Sequence, residues 1–384
     1  MSETKKLGLY LHIPFCVQKC RYCDFYSAPA DKERRRAYVD ALINHLSFEG
    51  ARLRDYRVDT VYLGGGTPNL LEGSDFARIL DTVQAHFNLE GDAEITAECN
   101  PVAGDREKLS QMRAAGINRL SIGLQSIHEN ELQLLGRPHG YAEFLDTFSA
   151  ARDVGFPNIS VDLMFGIPAQ TESSFAKTLD ALTRLAPEHI SVYGLRVEKH
   201  TPFWEMRDTL PLPDEDAEAY MAEYMVPFLA SREYRHYEIS NFAKAGFASR
   251  HNLRYWLGAD YLGFGPGAHS YLAGERFDTP SSTAAYLAAV SEKNFAALRQ
   301  NVTRIEGKEA MDEYVMLRMR LACGVDFTDF ARRFGTSFHQ QYHIDPMLFE
   351  RGLLERTDRG VAFTERGMRV SNAILSDWLD FGEE

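Results

Sequence analysis

A chain of 384 residues, 45% hydrophobic and 25% charged, holds enough apolar material for one large domain and a smaller one. Its net charge of -13 and isoelectric point near 5.5 argue against a protein whose main business is nucleic acid, because phosphate binding rests on basic surface. No apolar run approaches the roughly eighteen residues a bilayer span needs, and neither a lipidation motif nor a signal peptide is evident, so the sequence reads as cytoplasmic with no transmembrane segment.

The first predicted strand, LGLYLHI (7–13), runs into IPFCVQKCRYC, which holds Cys16, Cys20 and Cys23 with no fourth cysteine nearby. Thiolates are the ligands of iron–sulfur clusters, and a four-iron cubane normally takes four of them. Three would leave one iron open to a substrate or cofactor. Zinc also takes thiolates, but a structural tetrahedral site needs a fourth ligand at short spacing, and none follows. Disulfides fit less well, since five cysteines in this length is a sparse and odd set. Cys99 and Cys323 stand alone and read as small buried hydrophobes.

A helical pattern over 33–49 leads to the second strand, VDTVYLG (58–64), which ends in GGGTP (Gly64 to Pro68). Those glycines either form a tight turn or let the backbone approach a ligand closely and offer N–H groups to it. Four more strand and helix alternations follow. AEITAEC (93–99) carries Glu98 and leads to Asn100 and Pro101; INRLSIGL (117–124) ends at Gln125; NISVDLMFGI (158–167) carries Asp162; HISVYGL (189–195) is the sixth strand. Helical spacing covers 73–87, 105–115, 141–154 and 172–185 between them. The alternation is that of a parallel sheet, and the apolar character of several strands implies that both faces are covered. An open doubly wound sheet and a partial barrel both satisfy it. Polar residues at the carboxyl ends of separate strands favour a partial (β/α)6 TIM-like barrel, where chemistry collects at that end. Taken singly, Glu98, Gln125 and Asp162 each read as satisfied structural groups; their common placement makes them candidates.

YLGFGPGAHSY (261–271) reads as a strand and turn closing the side of the barrel, with His269 a secondary ligand candidate. Beyond residue 300 the pattern becomes helical, over 306–321, 327–334 and 346–354, then a small β-wing in ERTDRGVAFTERG and a last helix in MRVSNAILSDWL. That layout is winged-helix-like, and the acidic chain makes it a packing lid or protein-docking surface rather than a DNA reader. The expected domains are 1–240, a connecting segment 241–300, and 301–384.

CxxxCxxC with an aromatic, Tyr22, before the last cysteine, followed some forty residues on by GGGTP, resembles the radical S-adenosylmethionine superfamily. LYLHIPFCVQKCRYCDF, YLGGGTP, TAECNP, LSIGLQS, LLGRPH and VDLMFGIP together resemble its branch of anaerobic coproporphyrinogen III oxidases and haem chaperones, over nearly the whole chain. By that resemblance Cys16, Cys20 and Cys23 bind a 4Fe-4S cluster whose open iron chelates S-adenosylmethionine. Gly64, Gly65, Gly66 and Thr67 contact the amino-acid part of that cofactor, and Tyr10, Tyr22, Glu98, Gln125, Arg137 and Asp162 line the rest of its site. The chemistry implied is reductive cleavage of the sulfonium to methionine and a 5'-deoxyadenosyl radical, with the protein supplying orientation and exclusion of water.

Two departures from the oxidase pattern bear on which activity follows: Phe25 stands where the oxidases have a further cysteine, and only fifteen residues precede Cys16. HNLRYW (251–256) resembles a motif of the haem-binding members. There His251 offers an axial nitrogen, Tyr255 and Trp256 offer flat apolar surface, and Arg250 and Arg254 meet the propionates. The bland alternative is a loop whose histidine is hydrogen-bonded and whose aromatics cap the barrel. The resemblance therefore implies a haem chaperone passing haem to apoproteins such as respiratory cytochromes. Docking on a membrane surface and homodimerisation stay open. The runner-up is an oxygen-independent coproporphyrinogen III oxidase, and a haem-degrading radical methyltransferase is a remote third.

Overall fold

The order in which the strands pair decides between the two architectures that the sequence leaves open. The computed structural model describes residues 5–379. β1 (Lys6–Ile13), β2 (Arg57–Gly65), β3 (Asn88–Cys99), β4 (Arg119–Gln125), β5 (Asn158–Phe165) and β6 (His189–Gly194) lie side by side in chain order, every neighbouring pair parallel. A doubly wound sheet would reverse direction at a switch point; a singly wound run of crossovers curls into a barrel wall. The crossovers are carried by α1 (Lys32–Arg52), α2 (Gly73–His86), α3 (Arg106–Ala114), α4 (Glu129–Leu135) with α5 (Tyr141–Asp153), and α6 (Glu172–Leu185).

The chain then extends this wall on both flanks. After α7 (Pro202–Met206) and α8 (Glu215–Ala230), β7 (Arg235–Glu238) and β8 (Asn241–Ala243) continue from β6, with β8 antiparallel to it. Past α9 (Arg250–Trp256), β9 (Tyr261–Phe264) pairs parallel with the opposite edge strand, β1. β10 (His269–Leu272), β11 (Glu275–Asp278) and, after α10 (Thr283–Ser291), β12 (Gln300–Arg304) complete a twelve-stranded sheet. The segment 241–300, expected as a connector, thus supplies strands to the main sheet. Strands of three to five residues are too short to show a period, so the sequence conceals them.

Strict alternation divides the six central strands into two faces. Leu7, Leu9, Leu11 and Ile13, Val61 and Leu63, Leu120, Ile122 and Leu124, and Ile159, Val161 and Leu163 are fully buried and form the main core with the crossover helices. Each contributes about 1.5–3 kcal/mol by leaving water. The opposite face corrects the expectation of two apolar faces: it carries Tyr10 and His12, Thr60 and Tyr62, Glu94, Thr96 and Glu98, Arg119 and Ser121, Ser160 and Asp162, His189, Ser191 and Tyr193. The barrel is lined with polar side chains.

A second hydrophobic cluster sits in the C-terminal region. It is built from α11 (Gly307–Arg318), β13 (Val325–Asp326), α12 (Phe327–Phe334), α13 (Phe338–Gln341), α14 (Pro346–Glu350), β14 (Leu354–Arg356), β15 (Gly360–Phe363), α15 (Glu365–Arg369) and α16 (Ser371–Trp378). The three strands form a separate sheet in the order β13, β15, β14 around Phe330, Phe338 and Tyr342, a winged-helix-like arrangement. Cys323, read as buried, is exposed in the turn after α11, whereas Cys99 is buried as expected and burial pushes its thiol up to about 12. No helix among the described residues is long and apolar enough to cross a membrane.

Candidate functional site

The carboxyl ends of the six strands gather most of the candidate residues, as the barrel rule predicts. The loop after β1 presents three free thiols, with Cys20 buried and Cys16 and Cys23 half-buried. Donors reach two of them: Thr67 Oγ1 lies 3.5 Å from Cys16 Sγ, and Arg137 Nη1 lies 3.6 Å from Cys20 Sγ and 3.5 Å from the Tyr22 hydroxyl. Burial, with smaller additions from the neighbouring cysteines, pushes the Cys23 thiol up to about 11, and burial pushes the Tyr22 hydroxyl up to about 12. A metal cation bound there would have to displace the proton that burial holds on Cys23.

The GGGTP turn works differently from its sequence reading. Its N–H groups are already used: Gly65 donates to Glu98 Oε2 at 3.0 Å, Gly66 to the Ile13 carbonyl at 2.9 Å, and Thr67 to the Phe15 carbonyl at 2.7 Å. What the glycines supply is proximity. A Cβ on Gly66 would stand 2.6 Å from the Phe15 carbonyl, and Gly65, at φ +104°, would drive a Cβ into the His12 ring. The turn is zipped onto the cysteine loop, which fixes the position of Cys16 beneath Thr67.

Deeper in the mouth, Glu98 accepts from the Tyr62 hydroxyl at 2.9 Å, and Asp162 accepts from Ser121 at 3.1 Å. Burial, together with the charge of Asp162, raises the Glu98 carboxyl to about 7 against the hydrogen bonds from Tyr62 and Gly65. Burial raises Asp162 as well, opposed by Ser191 and Ser121 and by the charges of Arg119 and Arg137. Gln125, the last residue of β4, holds a left-handed φ of 70°, a strained posture for a residue with a side chain, and it ends the strand so that the chain turns away. Gly123 makes room for Arg137, whose Nη2 donates to the Gly123 carbonyl at 3.1 Å and would stand 2.9 Å from a Cβ there. Tyr10, facing the same space, hydrogen-bonds His12 Nδ1 at 3.0 Å, and His12 Nε2 meets the Tyr26 carbonyl at 2.9 Å.

The residues missed by sequence reasoning are His12, Tyr62, Arg119, Ser121, Gly123, Ser191 and Tyr193. Every one sits an even number of residues from a candidate on its own strand or on the matching face of its neighbour. The period of two would have found them once the inward face was known.

HNLRYW lies elsewhere. It lies in α9, which closes the opposite, amino-terminal end of the barrel, and is a helix rather than the loop of the bland alternative. The Glu94 carboxylate accepts from the Arg250 and His251 N–H groups, each at 3.0 Å, and so seats the start of the helix. His251, 1% exposed, has both ring nitrogens engaged, Nδ1 with Thr60 Oγ1 and Nε2 with the Tyr255 hydroxyl, each at 2.9 Å. Burial, aided by the charges of Arg254 and Arg119, lowers its pKa to about 3. Arg254 is buried in an ion pair with Asp59 and donates to the Asp260 carbonyl at 3.0 Å, so it does not extend toward a ligand. Trp256, half-buried, ends the helix. His269 is exposed at the start of β10, after the turn that follows β9.

Known proteins match this architecture from end to end. The radical SAM superfamily model matches residues 10–182, and the HemN C-terminal domain model matches residues 305–370. The heme chaperone HemW of Bacillus subtilis is 34% identical over 96% of this chain and 98% of its own length, and the heme chaperone HemW of Escherichia coli is 40% identical over 70% and 71%. The chain belongs to the HemW family of radical SAM proteins. The solved coproporphyrinogen III oxidase (HemN) from Escherichia coli superposes with a TM-score of 0.84 over 97% of this chain and 89% of that one, at 24% sequence identity, a likeness of fold.

Membership of the radical SAM superfamily implies a 4Fe-4S cluster and S-adenosylmethionine, and the mouth of this HemW-family barrel has the donor set for both. Three thiols stand on one short loop with hydrogen-bond donors on two of them, and the space beside them is lined by carboxylates and hydroxyls that suit an amine and a ribose. The Arg137 Nε has no hydrogen-bond partner, which leaves one guanidinium donor beside the thiols for a ligand.

Proposed function

We propose that this protein is a haem chaperone that binds a 4Fe-4S cluster and S-adenosylmethionine at the barrel mouth, carries haem, and delivers it to apoproteins such as respiratory cytochromes. The observation that carries the reading is the 34% identity to the Bacillus subtilis heme chaperone HemW over almost the full length of both chains. Cys16, Cys20 and Cys23 would hold the cluster, with Thr67 and Arg137 donating to the sulfurs. Gly64, Gly65, Gly66 and Thr67 would form one wall of the S-adenosylmethionine site, with Tyr10, Tyr22, Glu98, Gln125, Arg137 and Asp162 around it. Asp162, an acceptor already flanked by two serines, suits a ribose diol. A bound cluster would supply the electron for reductive cleavage of S-adenosylmethionine; the chain's own residues would orient that cofactor and keep water from it.

Haem would be read by His251, Tyr255 and Trp256. Because the His251 nitrogens are engaged, haem contact requires α9 to release Nε2 from Tyr255. Work in the cytosol with peripheral docking at a membrane, and a homodimer as the carrying form, complete the proposal. The alternative of an oxygen-independent coproporphyrinogen III oxidase rests on fold likeness at 24% identity, and Phe25, 64% exposed at the mouth, stands where that enzyme's pattern has a cysteine.

The test is anaerobic. The cluster-reconstituted protein is given S-adenosylmethionine with haem, and separately with coproporphyrinogen III. Haem retained and passed to an apocytochrome, with coproporphyrinogen unchanged, is the expected result. Conversion to protoporphyrinogen, or failure to retain haem, overturns it.

A further inference from the structure

An unbroken run of aromatic rings leads from the mouth of the barrel to its opposite end. Tyr10 and Tyr62 pair in register across β1 and β2, with ring centroids 6.2 Å apart. Tyr62 stacks on His251 at 5.1 Å, His251 meets Tyr255 edge-on at 5.2 Å, and Tyr255 meets Tyr261 edge-on at 4.7 Å. Every gap lies within ordinary aromatic contact. Tyr261, half-buried at the start of β9, brings the run to the outer strands of the sheet, where it pairs with Tyr271 of β10.

Packing accounts for rings in contact, but not for what their hydroxyls meet. Each of the three inner phenols has a base as its hydrogen-bond partner. Tyr10 meets His12 Nδ1 at 3.0 Å, and because His12 Nε2 faces the Tyr26 carbonyl, which can only accept, Nε2 carries the ring proton and Nδ1 is the acceptor. Tyr62 donates to Glu98 Oε1 at 2.9 Å, and burial, with the charge of Asp162, raises that carboxyl to about 7, which makes its ionised form a stronger base than an exposed carboxylate. Tyr255 meets His251 Nε2 at 2.9 Å, an acceptor in the neutral tautomer assigned with its proton on Nδ1, toward Thr60 Oγ1.

Burial also holds all three hydroxyls protonated above the ordinary tyrosine range. A buried phenol loses an electron readily only when its proton leaves with it, since the alternative strands a cation in a low dielectric. Tyrosine beside base, repeated three times along one line of rings, allows that at each step. Tyr237 supplies the contrast within the same barrel. It is joined to His189 Nε2 at 2.8 Å, yet among the described residues its ring touches none of the run.

We propose that Tyr10, Tyr62, Tyr255 and Tyr261 carry an oxidising equivalent out of the barrel as a migrating tyrosyl radical. A carbon radical at the mouth takes the hydrogen of the Tyr10 hydroxyl, so that an O–H bond breaks and a C–H bond forms. Tyr62 then gives an electron to Tyr10 and its proton to Glu98, while water at the mouth reprotonates Tyr10. Tyr255 gives an electron to Tyr62 across the His251 ring and its proton to His251 Nε2, and Glu98 returns its proton to Tyr62. Tyr261 in turn reduces Tyr255, which recovers its proton from His251; the Tyr261 proton passes to solvent, and a thiol-class reductant there restores the hydrogen atom. In a protein that carries haem rather than oxidising a substrate, the path is an outlet for radicals that meet no substrate. That source of radicals rests on the S-adenosylmethionine reading above; the path itself does not.

The test puts a light-driven oxidant at the mouth and a trap at the far end of the full chain. A ruthenium polypyridyl label is attached through Phe25→Cys, with Cys16, Cys20, Cys23 and Cys323 changed to serine so that it has one exposed target, and Tyr261→3-aminotyrosine provides a more easily oxidised residue with its own electron paramagnetic resonance spectrum. After flash oxidation of the label by a hexaammineruthenium(III) quencher, at a pH where Glu98 is ionised, the aminotyrosyl signal is expected. Tyr62→Phe and Tyr255→Phe, which keep the rings and remove the hydroxyls, should each abolish it, while Tyr237→Phe should leave it in place. If a phenylalanine variant fails to fold, Glu98→Gln decides, since it keeps every ring of the path and removes one base: slower arrival of the signal is expected. No trapped radical in the parent chain, an undiminished one in Tyr62→Phe or Tyr255→Phe, or an unchanged rate in Glu98→Gln overturns the proposal. Because the label takes the place of cofactor chemistry, the outcome is independent of whether S-adenosylmethionine binds.

Discussion

The mouth and the floor of one barrel are built from the same six strands, yet they treat polar side chains in opposite ways. At the mouth, thiols, carboxylates and Arg137 come from separate loops and strand ends, are partly exposed, and keep unused valence. At the floor, α9 brings a run of equally chemical residues, and nearly all are consumed internally: Glu94 by the helix start, Arg254 by Asp59, His251 by Thr60 and Tyr255. A motif thus names the chemistry available, while the hydrogen-bond partners decide whether that chemistry is offered to a ligand. The most drastic way to break the comparison is at the mouth. Cys20→Ser should abolish the cluster's absorbance after anaerobic reconstitution, since a hydroxyl is a far poorer ligand for iron than a thiolate. Because Cys20 belongs to none of the hydrophobic clusters and a serine hydroxyl can still accept from Arg137, thermal stability of the apo chain should hardly move. A retained cluster would remove Cys20 from the ligand set.

Breaking the floor should do the reverse. Arg254→Met leaves Asp59 buried with only the more distant Lys6, at 3.6 Å and half in solvent, to balance it. A loss of about 3 kcal/mol is expected, near the lower end for one partner of a buried pair. Urea denaturation measures it. Cluster reconstitution in the variant should still succeed at a temperature where it is folded. A loss below about 1 kcal/mol would mean the pair behaves as a surface bridge.

Much of the mouth was legible in the sequence because the residues that break a strand are conspicuous there: three cysteines after LYLHI, a glycine triplet after VDTVYL, Gln125 closing a strand. The crossover helices α1, α2 and α6 were legible for a related reason, since fourteen or more residues give the helical period room to show. The inward polar face was hidden by composition. Tyr62, Thr96 and Ser121 sit between buried aliphatic residues, and a strand of that kind reads as apolar on both faces. The floor was hidden for a further reason. Nothing in HNLRYW tells that Thr60 and Glu94, nearly two hundred and over a hundred and fifty residues away in the chain, will claim its donors and acceptors.

Between mouth and floor, Tyr62 touches both: its hydroxyl donates to Glu98, and its ring stacks on His251 with centroids 5.1 Å apart. The carboxyl it serves carries a pH signature. Glu98 rises from the ordinary value of 4.5 to about 7 in the folded chain, so between those values the folded state holds a proton that the unfolded state has lost. Its contribution to stability therefore declines as pH rises from about 4.5 to about 7 and is level beyond. Glu98→Gln keeps an acceptor for Tyr62 and has no such proton. Relative to wild type, the variant should gain up to about 3 kcal/mol across that interval, less where solvent in the mouth screens the carboxylate. The two stabilities should converge near pH 4.5. A difference between the two chains that does not change with pH would show that Glu98 titrates normally.

The smallest expected effect sharpens the contrast most, because it opens a single hydrogen bond at the floor. Tyr255→Phe removes the hydroxyl that occupies His251 Nε2 and keeps the ring, which packs edge-on against Tyr261 at 4.7 Å between centroids. Leaving the buried nitrogen without a partner should cost about 1 kcal/mol of stability. If haem is read by His251, that bond competes with the iron, and its loss should tighten haem by about fivefold. The comparison variant is Thr60→Val, which frees Nδ1 instead. It should cost similar stability without tightening haem, because Nδ1 faces the β2 wall rather than the outer end of the helix. Haem affinity unchanged in both variants would assign HNLRYW to closing the barrel alone, and would direct the search for the haem ligand back to the mouth.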